Sequence, residues 1–146
     1  MPSRDATTHW HGDLATGSGT VTLDSSNAGS FAVSFPTRAG DPDGQTSPEE
    51  LIAAAHSACY AMNLSNALAT AGTPVEELDV SVEVTLGRVD GGGLAITTIV
   101  LTVEGTVPGV DDEAFQAAAL AAKESCIVTK ALAGVPSITL EAKLRG

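Results

Sequence analysis

The longest continuous pattern in the chain is an apolar segment at residues 46–71, TSPEELIAAAHSACYAMNLSNALATA, which predicts a long helix. Ser47 suits the N-cap, Pro48 the first helical position, and Glu49 the positive end of the helix dipole. Gly72 follows the segment and predicts its end. The segment is apolar nearly all round, which is typical of a helix that is buried on more than one face.

The polar residues of this helix fall at steps of seven, at Glu49, His56, Asn63 and Thr70. Seven residues are nearly two helical turns, so these side chains form one stripe along the helix. Cys59 lies beside the stripe, between His56 and Asn63. A cysteine next to a polar seam on a buried helix is therefore our candidate reactive group.

Alternating apolar and polar residues predict strands at 7–11, 18–24, 30–35, 78–86, 94–107 and 137–144. The sequence Ser25 to Gly29 predicts the turn of a hairpin between the second and third strands. The apolar phase shifts between Ile96 and Ile99, which predicts a β-bulge near Thr97 and Thr98.

The segments between the strands predict a loop and two further helices. Residues 36–47 are rich in turn residues and carry Arg38, so we expect a loop there. Asp111 or Asp112 is expected to cap a helix that runs to about Glu124. Ser125 is expected to cap a shorter helix at 126–133.

The resulting order, β-β-β-α-β-β-α-α-β, predicts an α+β protein with mainly antiparallel sheet packed on the long helix. At 146 residues the chain is long enough for one domain, and we expect residues 1–146 to form it. One sheet cannot cover every face of helix 46–71. We therefore expect a twofold homodimer in which a second copy covers the rest.

Composition and charge limit the possible functions and partners of the protein. Apolar residues make up 43% and charged residues 17%, as in globular proteins. A net charge of −11 leaves no basic patch, which argues against nucleic acid and anionic membranes as partners. The N-terminal segment MPSRDATTHW has no apolar run, so we expect no signal peptide and a cytoplasmic location. Thiols stay reduced there, so the two cysteines indicate a transient redox pair or two core residues.

A reactive Cys59 needs a nearby cation, because a free thiol (pKa about 8.5) is mostly protonated at neutral pH. His56 and Arg38 are the two candidates, and Glu49 or Glu50 could orient Arg38. Glu49 and Cys59 are ten residues apart, about 15 Å along one helix. We therefore expect composite sites in the dimer, with Arg38 and Glu49 from one subunit and both cysteines from the other.

Several of these segments together resemble one known family. TSPEELIAAAHSAC, the Thr-Arg pair before it, the opening HWHGD, GLAITTIVLTVEGTVPGVD and a second cysteine at Cys126 are similar to the osmotically inducible protein C family. That family includes the organic hydroperoxide resistance proteins, and the details are closer to its osmotically inducible branch. One departure is that Ile127-Val128-Thr129 follows Cys126, where relatives often have Pro-Val-Ser.

The resemblance implies a thiol peroxidase that works as an intertwined homodimer on organic, alkyl or lipid, hydroperoxides. It implies that Cys59 is the peroxidatic cysteine, Cys126 the resolving cysteine, and Arg38 and Glu49 the supporting pair. Apolar residues are expected to line the substrate pocket: Phe35, Leu51, Ile52, Tyr60 and Met62. The family implies no bound cofactor and an external dithiol reductant, such as dihydrolipoamide or a lipoylated protein.

Three other interpretations compete with this one. The cysteines could be inert core residues of a dimer that binds a small apolar ligand, since free cysteine is among the most buried residue types. His56 could serve as the base of a Cys-His hydrolase. His9 and His11 could join His56 and Cys59 in a metal site, but an exposed strand edge is the more common reason for a His-x-His pair, and we expect no metal.

Overall fold

The computed structural model describes all residues, 1–146. Its elements are β1 (Thr7–His11), β2 (Ser18–Thr22), β3 (Ser30–Val33), α1 (Phe35–Ala39), α2 (Pro48–Thr70), β4 (Glu77–Arg88), β5 (Leu94–Thr106), α3 (Asp112–Ser125), α4 (Ile127–Ala131) and β6 (Ser137–Leu144). The strands form two three-stranded sheets that are mainly antiparallel, which confirms the predicted α+β class. None of the helices has the length and hydropathy that a bilayer crossing requires.

The chain divides into two compact units, Met1–Leu51 and Ile52–Gly146. The division falls near the start of α2, so the first residues of that helix belong to the first unit and the remainder to the second. The assignment of the whole chain to one domain stays a prediction.

The first unit contains the antiparallel sheet β1-β2-β3. The predicted hairpin joins β2 to β3, and Asn27 stands in its turn with φ 54°, in the left-handed region that asparagine tolerates. Val21 of β2 is buried, whereas every residue of β1 is exposed.

Helix α1 is the main difference from the sequence prediction in this unit. The sequence pattern predicts Phe35 in a strand and Arg38 in a loop over 36–47, but β3 ends before Ser34 and both residues lie in α1. The Ser34 hydroxyl accepts a hydrogen bond from the Thr37 amide at 3.4 Å. This N-cap supports a short helix within a segment whose Pro and Gly content predicts a loop.

The second unit contains the sheet β4-β5-β6. Thr85 pairs with Thr98, and Leu86 pairs with Ile96, so Thr97 is the extra residue of a β-bulge. This confirms the bulge that the shift in apolar phase predicts. Strand β6 pairs with β5 in parallel, a partner that its alternating pattern does not specify.

The core of the second unit lies between this sheet and the helices. Helix α2 contributes a stripe at every fourth residue, comprising His56, Tyr60, Leu64 and Leu68. The other core residues come from β5, the residue after it, α3 and the residue after α3: Leu101, Val103, Phe115, Ala119, Ala122, Val107 and Cys126. Other faces of α2 are open in the single chain, and Met62 is 72% exposed.

The junction of α3 and α4 departs from the prediction in one detail. Asp111 caps α3 as expected, and its Oδ1 accepts a hydrogen bond from the Ala114 amide at 2.8 Å. The expected cap of α4 at Ser125 is wrong: Cys126 holds that position, and the Ser125 hydroxyl instead donates to the Ala121 carbonyl at 2.9 Å. Cys126 therefore stands where α3 ends and α4 begins.

Truncation of the core face of α2 tests the packing of the second unit. We expect Leu64→Ala to lower the free energy of unfolding by about 2–5 kcal/mol, because the side chain is fully buried and its removal leaves a cavity. The matched control is Leu120→Ala on α3, where the side chain is 54% exposed and we expect a loss of about 0.5 kcal/mol. Equal losses in chemical denaturation would contradict this core assignment.

Candidate functional site

The first site feature is an ion pair in the first unit, between Arg38 in the last turn of α1 and Glu49 in the first turn of α2. Arg38 Nε donates to both carboxylate oxygens at 3.1 Å, and Nη2 donates to Oε1 at 2.7 Å. Glu49 is only 7% exposed, whereas the Arg38 side chain is 36% exposed. The carboxylate thus orients a guanidinium that keeps part of its surface free.

Local hydrogen bonds hold the segment that carries Arg38. The Thr46 amide donates to the Ala32 carbonyl of β3 at 3.1 Å, and the Thr37 hydroxyl donates to Gln45 at 3.2 Å. The hydrogen bonds to Glu49 raise the pKa of Arg38, outweighing the opposing effect of burial, so the guanidinium is charged at any working pH.

The second feature is a pair of free thiols in the second unit. Cys59 Sγ and Cys126 Sγ are 3.3 Å apart, although 67 residues separate them in the chain. Cys126 is fully buried and Cys59 is half-buried. Formation of a disulfide, with an S–S bond of about 2.05 Å, needs only a small movement of either sulfur.

Hydrogen bonds between α2 and α3 hold the two thiols in register. The Tyr60 hydroxyl donates to the Ala119 carbonyl at 2.8 Å. Asn63 Nδ2 lies 2.8 Å from both the Ala122 carbonyl and the Ser125 hydroxyl oxygen. Tyr60 and Asn63 lie one and four residues after Cys59 on α2, so these contacts hold Cys59 in position relative to Cys126.

The two thiols differ in how well their surroundings stabilise the negatively charged thiolate. Burial raises the pKa of Cys59, and the amides of Val128 and Ile127 offset this only in part. Burial also raises the pKa of Cys126, but hydrogen bonds from the amide and hydroxyl of Thr129 and from Cys59 outweigh it, and the net pKa is lowered. Within a single chain, Cys126 is therefore the thiol that loses its proton more readily.

His56 is not the cation that a Cys59 thiolate requires. The ring is fully buried, and burial lowers its pKa below the ordinary value, so it is neutral at pH 7. Its Nε2 lies 2.7 Å from the Thr129 hydroxyl oxygen, and its Nδ1 has no hydrogen-bond partner.

Each unit has an apolar cavity beside these groups. The cavity of the first unit has a volume of about 390 Å³ and adjoins Arg38. Its other lining residues are Thr8, Trp10, Leu14, Val21, Val33, Ser34, Phe35, Pro48 and Leu51. The cavity of the second unit, about 500 Å³, adjoins Cys59 and is lined by Met62, Asn63, Asn66, Ser125, Ile127 and Val128.

The expected pocket residues are only partly correct. Phe35 and Leu51 line the first cavity, and Met62 lines the second. Tyr60 is wrong as a pocket residue, because its ring is fully buried in the core of the second unit. Ile52 is half-buried but lines neither cavity.

The histidines proposed for a metal site belong to different units of the chain. His9 and His11 are exposed on β1, with their Nε2 atoms 2.8 Å apart. His56 is buried in the second unit. No group of three or more His, Cys, Asp or Glu side chains is arranged to hold a metal ion.

The structure therefore brings Arg38 to Glu49 within the first unit, and Cys59 to Cys126 within the second. Glu50, the alternative partner of Arg38, is exposed and instead accepts a hydrogen bond from the Thr46 hydroxyl. Sequence reasoning missed one further group, the Thr129 hydroxyl next to His56. The only signal for it in the sequence is a hydroxyl residue three positions after the second cysteine.

Comparison with known proteins gives a consistent family. The family described as OsmC-like protein matches residues 40–141. Peroxiredoxin OsmC of Escherichia coli strain K12 is 41% identical over 137 residues, which cover 94% of this chain and 93% of that protein.

Solved structures share the fold. An organic hydroperoxide resistance protein from Elizabethkingia anophelis aligns with a TM-score of 0.74 and 25% identity, covering 100% of this chain and 97% of the other. An OsmC-like protein of unknown function from Vibrio cholerae has a TM-score of 0.76 and 18% identity, over 97% and 99% of the two chains. Since the family match covers more than half of the sequence and a 41% identical relative aligns over nearly all of it, this protein belongs to the OsmC-like family, as its motifs indicate.

Proposed function

We propose that this protein is a peroxidase of the peroxiredoxin type, which reduces organic hydroperoxides to alcohols with Cys59 and Cys126. The observation that carries the proposal is the 3.3 Å contact between two unbridged thiols, one of them beside an apolar cavity. The names of the relatives support it, since one is a peroxiredoxin and another is an organic hydroperoxide resistance protein.

In the first step, the Cys59 thiolate attacks the terminal oxygen of the hydroperoxide. The S–O bond forms as the O–O bond breaks, and the alkoxide takes a proton and leaves as the alcohol. Cys59 is then a sulfenic acid, which is the first reversible stage of cysteine oxidation.

In the second step, the Cys126 sulfur attacks the Cys59 sulfenic acid. The S–S bond forms as the S–O bond breaks, the thiol loses its proton, and the oxygen leaves as water. The short distance between the sulfurs favours this condensation over further oxidation of the sulfenic acid.

The first step requires a positive charge at Cys59, because the surroundings of this thiol in one chain raise its pKa. We propose that Arg38 of a second subunit supplies the charge and Glu49 of that subunit orients it. The ten residues between Glu49 and Cys59 span about 15 Å of helix, which is too far for one chain to join the two pairs directly. The open faces of α2, including the 72% exposed Met62, are where we place the homodimer contact.

The cavity beside Arg38 is our candidate for the organic part of the substrate. A volume of about 390 Å³ and a mainly apolar lining suit an alkyl or lipid chain. Hydrogen peroxide has no apolar group that could pack against this lining, so the cavity would not strengthen its binding. We therefore expect organic hydroperoxides to be the preferred substrates.

The proposed cycle closes when an external dithiol reduces the Cys59–Cys126 bond. Ile127, at the edge of the cavity beside Cys59, is 74% exposed in the single chain, so we expect a small dithiol to reach the less buried sulfur from the side of Ile127. Dihydrolipoamide or a lipoylated protein is our expected reductant, and the cycle requires no bound cofactor or metal.

One alternative function has a specific observation in its favour. The apolar cavity of the first unit also suits a dimer that binds a small apolar ligand without catalysis. A Cys-His hydrolase is less well supported, because His56 contacts Thr129 through Nε2 and its pKa is lowered.

Thiol counting tests the peroxidase directly. Treatment of the reduced protein with cumene hydroperoxide should remove both free thiols of each chain, and dihydrolipoamide should restore them. Cys59→Ser should lose no thiol under the same treatment, and Cys126→Ser should form a sulfenic acid that a dimedone probe captures. Unchanged thiols together with tight binding of an apolar ligand would support the binding module instead.

Substitution of the ion pair tests its role in the first step. We expect Arg38→Met to slow sulfenic acid formation by about 10²–10³-fold, because one charged donor to the reacting oxygens is lost. Glu49→Gln should cause a smaller loss, since the amide can still accept one hydrogen bond from Arg38. Rapid-mixing measurements of Cys59 oxidation should be compared with Arg4→Met as the control, because Arg4 is exposed and its side chain donates a hydrogen bond only to the neighbouring Ser3 carbonyl. Equal rates in all variants would contradict the assignment.

Mixed dimers test whether the site is shared between subunits. Heterodimers that combine a Cys59→Ser chain with a Glu49→Ala chain should contain one intact site, because each chain supplies what the other lacks. Their peroxidase activity should exceed that of both parents. Heterodimers with no activity above the parents would show that each site is built within one chain.

A further inference from the structure

Trp10, the only tryptophan of the chain, lines the cavity beside Arg38 but has no part in the reaction described above. It belongs to β1, an edge strand of the first sheet, and it is 38% exposed. A large aromatic side chain that is left partly uncovered at an apolar cavity is available to a ligand bound there.

Two glycines allow the indole of Trp10 to lie against the neighbouring strand. Gly19 of β2 pairs directly with Trp10 of β1. A methyl group at Gly19 would lie 2.9 Å from Trp10 Cε3, and one at Gly17 would lie 3.0 Å from Cζ2. Glycine within a strand often marks such a close approach, and here it lets the six-membered ring of the indole rest on the backbone.

A hydrogen bond fixes the orientation of the same ring. Trp10 Nε1 donates to the Gly12 carbonyl at 2.9 Å, which satisfies the only polar group of the indole. Gly12 has φ 89°, in the left-handed region that favours glycine, and it follows the last residue of β1. The indole is therefore held in place before a ligand binds, so little conformational entropy is lost when one does.

The composition of the cavity shows where the two parts of a ligand can bind. Arg38 is its only charged lining residue, whereas Trp10 and Phe35 are its aromatic ones. A hydroperoxide whose oxygens contact Arg38 must place its organic group among the other lining residues of the same cavity, which has a volume of about 390 Å³. The rigid indole of Trp10 is then one of the surfaces that this group contacts.

We propose that Trp10 is a specificity-determining residue, which makes the cavity prefer hydroperoxides that carry an aromatic ring over saturated ones of the same size. The inference rests on the proposed peroxidase function and narrows its substrate class. Burial of apolar surface favours both kinds of substrate equally. An aromatic ring gains in addition an offset-stacked or edge-to-face contact with the indole, which corresponds to a preference of about 3–10-fold.

The fluorescence of Trp10 tests this contact without any substitution, because the chain has no other tryptophan. The probes are 2-phenyl-2-propanol, the alcohol formed from cumene hydroperoxide, and its saturated counterpart 2-cyclohexyl-2-propanol. Both should change the tryptophan emission in a saturable way, and the phenyl alcohol should have a dissociation constant lower by about 3–10-fold. Emission that neither alcohol changes, or equal dissociation constants, would overturn the proposal.

Substrate competition tests the effect on the reaction. The ratio of kcat/KM for cumene hydroperoxide to that for its ring-saturated analogue is compared within each variant, so that a general loss of activity cancels. Trp10→Leu should lower this ratio by about 3–10-fold, and Trp10→Phe, which keeps an aromatic ring, should retain part of the preference. The matched control is Phe31→Leu, since Phe31 is a 41% exposed aromatic residue of the same sheet that does not line this cavity. A ratio in Trp10→Leu equal to that of the unsubstituted protein would overturn the proposal.

The binding measurement and the peroxidase assay fail separately. Tighter binding of the phenyl alcohol without any reduction of hydroperoxides would preserve the aromatic site and refute the peroxidase function. Reduction of both hydroperoxides without a preference that depends on Trp10 would preserve the function and overturn the role of this residue. Should Trp10→Leu fail to fold, the fluorescence titration and the ratio in Trp10→Phe test the proposal in its place.

Discussion

The contact between α2 and the α3–α4 junction is the constraint on which this chemistry depends. It places Cys126, the residue between two helices, 3.3 Å from Cys59 in the middle of a third. Apolar packing and the hydrogen bonds of Tyr60 and Asn63 hold that contact. Loss of register by one helical residue, about 1.5 Å, would separate the sulfurs and remove the proposed resolving step.

The electrostatic surroundings of the two thiols suit them to different steps of the proposed reaction. Burial alone disfavours charge at both, but donors at the start of α4 compensate at Cys126 more than at Cys59. Cys59, the thiol that we assign to the first attack, is thus the one whose thiolate is not stabilised by the residues of its own unit. In our proposal the oriented guanidinium of Arg38 from a second subunit supplies the positive charge that Cys59 lacks. Peroxidase activity would then require the assembled dimer.

Local pattern in the sequence predicts the strands, the bulge at Thr97 and the long helix well, because alternation and capping act over a few residues. It does not predict the parallel pairing of β6, since alternation fixes the buried face of a strand and not its neighbour. Helix α1 was missed because a single cap at Ser34 overrides a composition typical of loops. Among site residues, Arg38 and Glu49 are close in sequence and their pairing was foreseeable. The His56–Thr129 contact joins distant segments and leaves no periodic signal.

The central claim is that Cys59 and Cys126 of one chain form a redox pair. Peptide mapping by mass spectrometry tests it most directly, after the reduced protein has received one equivalent of an alkyl hydroperoxide. The account predicts a single cross-linked species in which the Cys59 peptide is joined to the Cys126 peptide, with both from the same chain. Cross-links between chains, or Cys59 oxidised to sulfinic acid while Cys126 remains a free thiol, would contradict it.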